Sequence, residues 1–220
     1  MSGKLVVYSA IFGGKDSYRE PPDGDYDVVL FTDRPPESTR RAMVFEVPSG
    51  EHPRRTARMY KTTPHILFPH ADYTLWMDGL IEVRAIDPMK ACLEHLADAD
   101  VAAHHNKESS CIYDAAHICI RGKVDDPAVI NRQMARYRAE GYPEGFGLVE
   151  TGIVMRRNNP DVTRFNEMWK SEILKGSVRD QLSFNYVAWK TGIRLKYIPG
   201  NLTRTSTGTG FCVSHHLHRL

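Results

Sequence analysis

Apolar residues fall along this chain in short bursts separated by polar and turn-forming stretches. Leu5 to Ala10 is a nearly unbroken apolar run, the pattern of a strand buried on both faces. It runs into Ile11-Phe12-Gly13-Gly14, where paired glycines predict a loop in which the backbone approaches something closely. Tyr26 to Thr32 and Ala42 to Val47 read as further strands, with Pro21-Pro22-Asp23-Gly24 as loop chemistry between the first two. Arg54 to Thr63 predicts a helix ended by Pro64. Tyr73 to Met77 reads as a strand, Pro88 to Ala97 as a helix, and Asp100 to Ala103 as the start of another strand. Pro127 to Glu140 predicts a helix stopped by Gly141, and Thr151 to Met155 is apolar and β-branched. Asn159 is placed to cap a helix that has Pro160 at its first position and Val162, Phe165, Trp169 and Ile173 along one side. Ser177 and Asp180 fit a capping box for a last helix from about Val178 to Lys190, followed by Gly192 and a strand from Ile193 to Ile198.

Strands alternating with helices predict an α/β fold with a mostly parallel central sheet flanked by helices. At 220 residues the chain fits one large domain, assigned to residues 1–200. Residues 201–220 form a tail of different character, rich in Gly, Thr and Ser before Ser214-His215-His216-Leu217-His218. It is either a flexible end or a segment folding over a site.

Composition narrows the classes. Lys plus Arg total 29 against 27 for Asp plus Glu, a net charge of +2 that argues against a nucleic-acid footprint. Four cysteines without a CxxC pair or zinc-type spacing read as reduced thiols and favour a cytoplasmic location. No apolar stretch approaches the ~20 residues that span a bilayer, and the first residues lack the features of a signal peptide.

Four constellations could carry chemistry. Asp78 ends a predicted strand, where open α/β sheets place ligands, and could reach a hard cation such as Mg²⁺ or Mn²⁺. Asp78-Gly79 is also a common turn dipeptide. Arg54, Arg58 and Lys61, spaced four then three, share one helical face that could hold a diphosphate or simply face solvent; Arg55 lies off that face. Asp180 and Gln181, at a helix entrance, could orient a sugar or steady charge at its anomeric carbon. His104-His105-Asn106 could line a pocket, and the tail histidines (His215, His216, His218) could lend a nitrogen ligand to a metal at Asp78 or belong to an exposed end. Absence of a Gly-x-Ser-x-Gly elbow, a P-loop and an HExxH helix argues against hydrolases and NTPases. Gly13-Gly14 lacks the GxGxxG frame of a dinucleotide oxidoreductase.

Several segments occur together in a fixed order: Tyr8-Ser9-Ala10-Ile11-Phe12-Gly13-Gly14, Phe31-Thr32-Asp33, Arg54 through Arg58 to Tyr60-Lys61, and Pro64-His65. Trp76-Met77-Asp78-Gly79, Tyr113-Asp114-Ala115, Gly147-Leu148-Val149-Glu150 and Arg179-Asp180-Gln181-Leu182-Ser183-Phe184 follow. Over roughly residues 5–190 the chain thereby resembles the glycosyltransferase-like domain of plant mucilage-related and turgor-defect proteins and of many bacterial proteins. The resemblance implies a single-domain GT-A type, Rossmann-like fold. It also implies transfer of a hexose or pentose from a nucleoside diphosphate sugar to a hydroxyl of a glycan or other acceptor. Such enzymes typically hold the donor through a divalent metal, Mn²⁺ or Mg²⁺, and an Asp-x-Asp motif. Carried over by position, Tyr8, Ala10 and Asp33 would contact the nucleoside, and Arg54, Arg58 and Lys61 the diphosphate. Asp78, followed by Gly79, would be one metal carboxylate; Leu80 stands where the second would be, and the tail, with His216 as its candidate ligand, lacks the fuller motif in which the family-eight metal histidine sits. Asp180 and Gln181 would be the catalytic pair, similar to that of family-eight retaining galactosyltransferases. His105, Asp114 and Glu150 would lie on the acceptor side, and an inverting course would need a carboxylate base there, for which Asp114 and Glu150 are the candidates. A nucleotidyltransferase and a non-catalytic sugar-nucleotide or glycan-binding module are the alternatives.

Overall fold

The computed structural model describes residues 3–14, 16–84, 86–200, 202 and 210–213. In chain order the elements are β1 (Leu5–Ile11), β2 (Asp27–Thr32), β3 (Met43–Glu46), α1 (Pro53–Thr62), α2 (Pro64–Leu67), β4 (Tyr73–Met77), β5 (Ile81–Val83) and α3 (Pro88–His95). Then come β6 (Val101–His105), α4 (Ile112–Arg121), α5 (Pro127–Ala139), β7 (Val149–Arg157), α6 (Pro160–Lys175), α7 (Gln181–Thr191), β8 (Leu195–Ile198) and β9 (Phe211–Val213).

Every residue of β1 is buried, as its apolar run requires. It lies between β2 and β4, parallel to both, in a seven-stranded sheet of order β3-β2-β1-β4-β7-β6-β8. The two-residue period of the strands divides the core. Val6, Tyr8, Ala10 and Trp76 face α4, α5, α6 and α7, whereas Leu5, Val7, Leu75 and Met77 face α3 and the small sheet formed by β5 and β9. Trp169 on α6 is fully buried, its ring 4.9 Å from that of Phe184 on α7. The fold is thus a Rossmann-like α/β layer structure, as the alternation of elements implies.

One strand runs the other way: β7 is antiparallel to both β4 and β6. Two helices, α4 and α5, intervene between β6 and β7, so the chain returns to the edge it left. A single crossover helix would have carried it to the opposite edge. The amino end of β7 therefore meets the carboxyl ends of β1, β2, β4 and β6 at one rim of the sheet.

The helix caps follow the sequence with one correction. Asn159 accepts from Val162 N at 2.9 Å, as its position before Pro160 predicts. The expected Ser177/Asp180 capping box is absent. Helix α7 begins at Gln181, the Asp180 side chain makes no cap bond, and Ser177 Oγ accepts from Arg179 N while donating to Asp125 Oδ2. Asp180 is drawn away by two cations. Helix α4 also escaped the sequence reading, because its ends (Ile112-Tyr113, Ile118-Cys119-Ile120) are β-favouring. Within the tail, Phe211–Val213 pairs with β5, and Phe211 is fully buried.

Candidate functional site

The rim where β7 begins and its neighbouring strands end gathers most of the polar residues singled out above. At the end of β1, Gly13 and Gly14 adopt φ of 73° and 62°, conformations that glycine takes without steric cost. Asp33, at the end of β2, holds that loop by accepting from Gly13 N at 3.1 and 3.0 Å. Asp78 ends β4: its amide donates to Gly152 O of β7, and its carbonyl accepts from Ile81 N. Gly79 is dictated by close approach, since a Cβ there would lie 2.7 Å from Ile11 Cδ1 and 3.0 Å from Asp16 Cβ. The Asp-Gly pair is therefore both a tight turn and a device that sets the Asp78 carboxylate at the rim.

Helix α1 delivers cations inward. Lys61 is fully buried, with Nζ 2.5 Å from Asp180 Oδ2 and 3.4 Å from Asp78 Oδ1. Arg58 bridges the same two acids, Nε to Asp180 Oδ1 at 3.2 Å and Nη1 to Asp78 Oδ1 at 3.4 Å. Trp76 Nε1 donates to Asp78 Oδ1 at 2.7 Å. Burial by itself would raise the Asp180 carboxyl, but Arg58 and Lys61 hold it well below the usual carboxylate range. Burial opposes charge on Lys61 as well, and with neighbouring Arg58 it lowers the ammonium below its ordinary value despite both carboxylates. The expected basic face is thus split. Arg54 is exposed, Arg58 and Lys61 point into the acids, and Arg55 anchors the helix by donating to Ile173 O at 2.6 Å.

Beneath this cluster lies a cation that sequence reading missed. Arg156 of β7 is fully buried; its Nη1 donates to Tyr8 OH at 3.0 Å and its Nη2 to Lys61 O at 3.1 Å. Tyr8 OH donates in turn to Lys61 O at 3.0 Å, and burial pushes the phenol up to about 12. Tyr8 and Ala10 are both buried within the sheet, so Tyr8 supports Lys61 from below. The one available signal was an arginine directly after the apolar run Ile153-Val154-Met155. Trp169 Nε1 donates to Asp180 O at 3.0 Å and fixes the acid's backbone. Arg179 also acts on Asp180, and its buried Nε has no hydrogen-bond partner among the described residues. Four cations (Arg58, Lys61, Arg156, Arg179) so surround two carboxylates, with Asp16 acting on Arg58 as a third. The cluster keeps a positive surplus, which a bound anion would neutralise.

Gln181, next to Asp180, donates from Nε2 to Val149 O at 2.6 Å, joining α7 to the amino end of β7. On β7, Glu150 is half-buried and accepts from Leu202 N at 3.1 Å; burial raises its carboxyl above the usual range. His105 and Asp114 line a cavity of about 410 Å³ beside the loop after β6, and Glu150 is not part of its lining.

The metal expectation meets a poor donor set. Asp78 Oδ1 already faces an indole N–H and two cations, and no group of three or more His, Cys, Asp or Glu among the described residues could hold a metal ion. The described residues do not make a cation cage. His215, His216 and His218 lie outside the described residues.

The site and fold together define an α/β protein whose polar cluster sits at the carboxyl rim of its sheet, where such folds bind ligands. Its family follows from comparison: the chain belongs to the TOD1/MUCI70 glycosyltransferase-like domain family, whose model matches residues 40–200. It is also 25% identical over 226 aligned positions to a probable hexosyltransferase, MUCI70, of Arabidopsis thaliana, covering 88% of this chain and 38% of that relative. The chain thus spans little more than a third of the relative's length. Family and relative together support glycosyl transfer in general. No helix among the described residues is long and apolar enough to cross a membrane.

Proposed function

We propose that this chain is a GT-A type glycosyltransferase that moves a sugar from a nucleoside diphosphate donor to a hydroxyl acceptor. One observation carries the reading. The cluster of Arg58, Lys61, Arg156 and Arg179 around Asp78, Asp180 and Asp16 carries four cations against three acids, a positive surplus of one at the sheet rim. A diphosphate supplies the missing negative charge, and its charge grows as it leaves, so cations placed there stabilise the transition state more than the ground state. The acceptor oxygen bonds to the anomeric carbon as the bond from that carbon to the diphosphate breaks. On the retaining course the hydroxyl proton passes to the departing diphosphate.

In this reading Gly13 and Asp33 shape the nucleoside side, and the buried Tyr8 and Ala10 support the rim from below. Exposed Arg54 draws the donor in, and Gly79 keeps the wall thin beside Asp78. Asp180 holds Lys61 and Arg58 in place, and Gln181 faces the transferring sugar from the start of α7. His105, Asp114 and Glu150 lie on the acceptor side; Glu150 is the base if the course is inverting, because its raised carboxyl binds a proton more readily. Four buried free cysteines accord with a reducing, cytoplasmic setting.

A thermal-shift screen of nucleoside diphosphates and their sugars, with Mn²⁺ and with chelator, tests the donor reading, since a ligand of the folded state raises Tm. Slow release of nucleoside diphosphate from a donor supports a transferase, whereas pyrophosphate release would reveal a nucleotidyltransferase. Donor binding with no hydrolysis or transfer across varied acceptors would leave a binding module. Proton NMR of the product's anomeric signal separates retention from inversion.

A further inference from the structure

The cavity beside β6 has the size and chemistry of a sugar subsite. Its volume of about 410 Å³ falls in the ~300–1,000 Å³ range of small-molecule pockets. It lies between the loop after β6 and the first turns of α4. His105, Lys107 and Ser110 contribute from the loop side, Asp114 and Ile118 from the helix. The loop is fixed by bonds within itself and to residues 147 and 148. Asn106 Oδ1 accepts from Glu108 N at 2.9 Å and Ser109 N at 3.0 Å, Asn106 N donates to Leu148 O at 2.8 Å, and Ser110 O accepts from Gly147 N at 2.8 Å.

The lining is amphipathic. Asp114 and Ile118, four residues apart, share one face of α4, and Ile118 is 43% exposed. The His105 ring stands edge-on to Tyr197, which lies outside the lining, centroids 5.0 Å apart. A pyranose matches such a wall, with apolar C–H faces for Ile118 and hydroxyls for Asp114, Lys107 and Ser110. Charge separates this cavity from the donor cluster. There cations are in surplus; here Glu108 and Asp114 outweigh Lys107, so an anionic ring would meet two carboxylates.

We infer that this cavity is the acceptor subsite and takes a neutral sugar unit of a glycan, an inference that rests on the glycosyl-transfer reading. Its position suits the role. His105 pairs with Val149, whose carbonyl accepts from Gln181 beside Asp180. Strand β6 lies two strand spacings from β4, roughly 10 Å from the line of Asp78. A sugar seated against His105 and Asp114 can thus direct a hydroxyl toward Gln181 and the donor.

The test is saturation-transfer NMR of the full chain with neutral gluco-, galacto-, manno- and xylo-oligosaccharides and with uronate-bearing ones. It is repeated on D114N, which alters an exposed side chain, and on S110W, which fills the cavity; thermal unfolding checks that both are folded. Binding of at least one neutral oligosaccharide, weakened tenfold or more by D114N and lost in S110W, is the expected result. Failure of every neutral oligosaccharide to bind, tighter binding of uronate-bearing ones, or binding unchanged in D114N overturns the inference. Nucleoside diphosphate binding to the unmodified chain is measured in parallel. Its absence would sink the donor reading, whereas its presence without neutral-sugar binding would sink the subsite alone.

Discussion

Replacing Asp180 with Asn tests whether the buried charges are held in place by one another. Lys61 has no exposed surface and its closest carboxylate is Asp180, at 2.5 Å; Arg58 meets the same acid at 3.2 Å. Asn removes the charge at nearly constant volume, leaving two buried cations to share the more exposed Asp78. Breaking a buried pair from one side costs about 3–5 kcal/mol, which in a domain of this size lowers Tm by on the order of 6–20 °C. The double variant Lys61→Met/Asp180→Leu removes both charges and should recover most of that loss, because well-packed apolar side chains often replace a buried pair without penalty. It should not recover donor binding. Acid sharpens the comparison. The Asp180 carboxyl is held below its unfolded value of ~3.9, so its stabilisation is present above that value and lost as pH falls through the folded pKa. D180N should lack this acid-side loss. Thermal and urea unfolding, with calorimetry of nucleoside diphosphate binding, supply the numbers. A loss under 1 kcal/mol for D180N, or a double variant no more stable than the singles, would refute the reasoning.

His104 is buried with both ring nitrogens unpartnered among the described residues, and burial lowers its pKa from 6.5 to about 4. Unfolded chains take up a proton below pH ~6.5 that the folded state refuses, so stability drops between pH 6.5 and 4 by roughly 3 kcal/mol at most. H104F should flatten that part of the pH–stability curve relative to the unmodified chain, and parallel curves would count against it. Arg156→Met should cut donor affinity by disturbing Lys61 while R156K partly restores it; equal donor affinity in R156M and the unmodified chain would remove Arg156 from the site. R54A, at an exposed position, should change stability by under about 0.5 kcal/mol, whereas W169A should cost about 3–5 kcal/mol in urea unfolding.

Much of this protein was legible in one dimension, because local patterns answer to local physics. The run of β1, the alternation of Leu75, Trp76 and Met77, and the Asn159-Pro160 start of α6 each follow from periodicity or a side chain meeting its own backbone. The same holds for Asp78 at a strand end and for the four-then-three spacing of Arg54, Arg58 and Lys61. Tertiary structure decided what those residues do. Two helices in place of one before β7 reverse that strand, bringing Val149, Glu150 and Gly152 to the rim beside Asp78. Ser177 and Asp180 satisfy a local capping rule, yet Lys61 and Arg58, more than 100 residues earlier, take the carboxylate from its helix because a buried charge gains more from an opposite charge than from an amide. Apart from its place after an apolar run, Arg156 gave no sequence signal of its role, which only its bonds to Tyr8 and the carbonyl of Lys61 define. Sequence determined most of the elements, though not α4, and most of the chemical groups at the rim, though not Arg156. Only the fold, which closes the distance between α1, β7 and α7, decided that they share one buried electrostatic cluster.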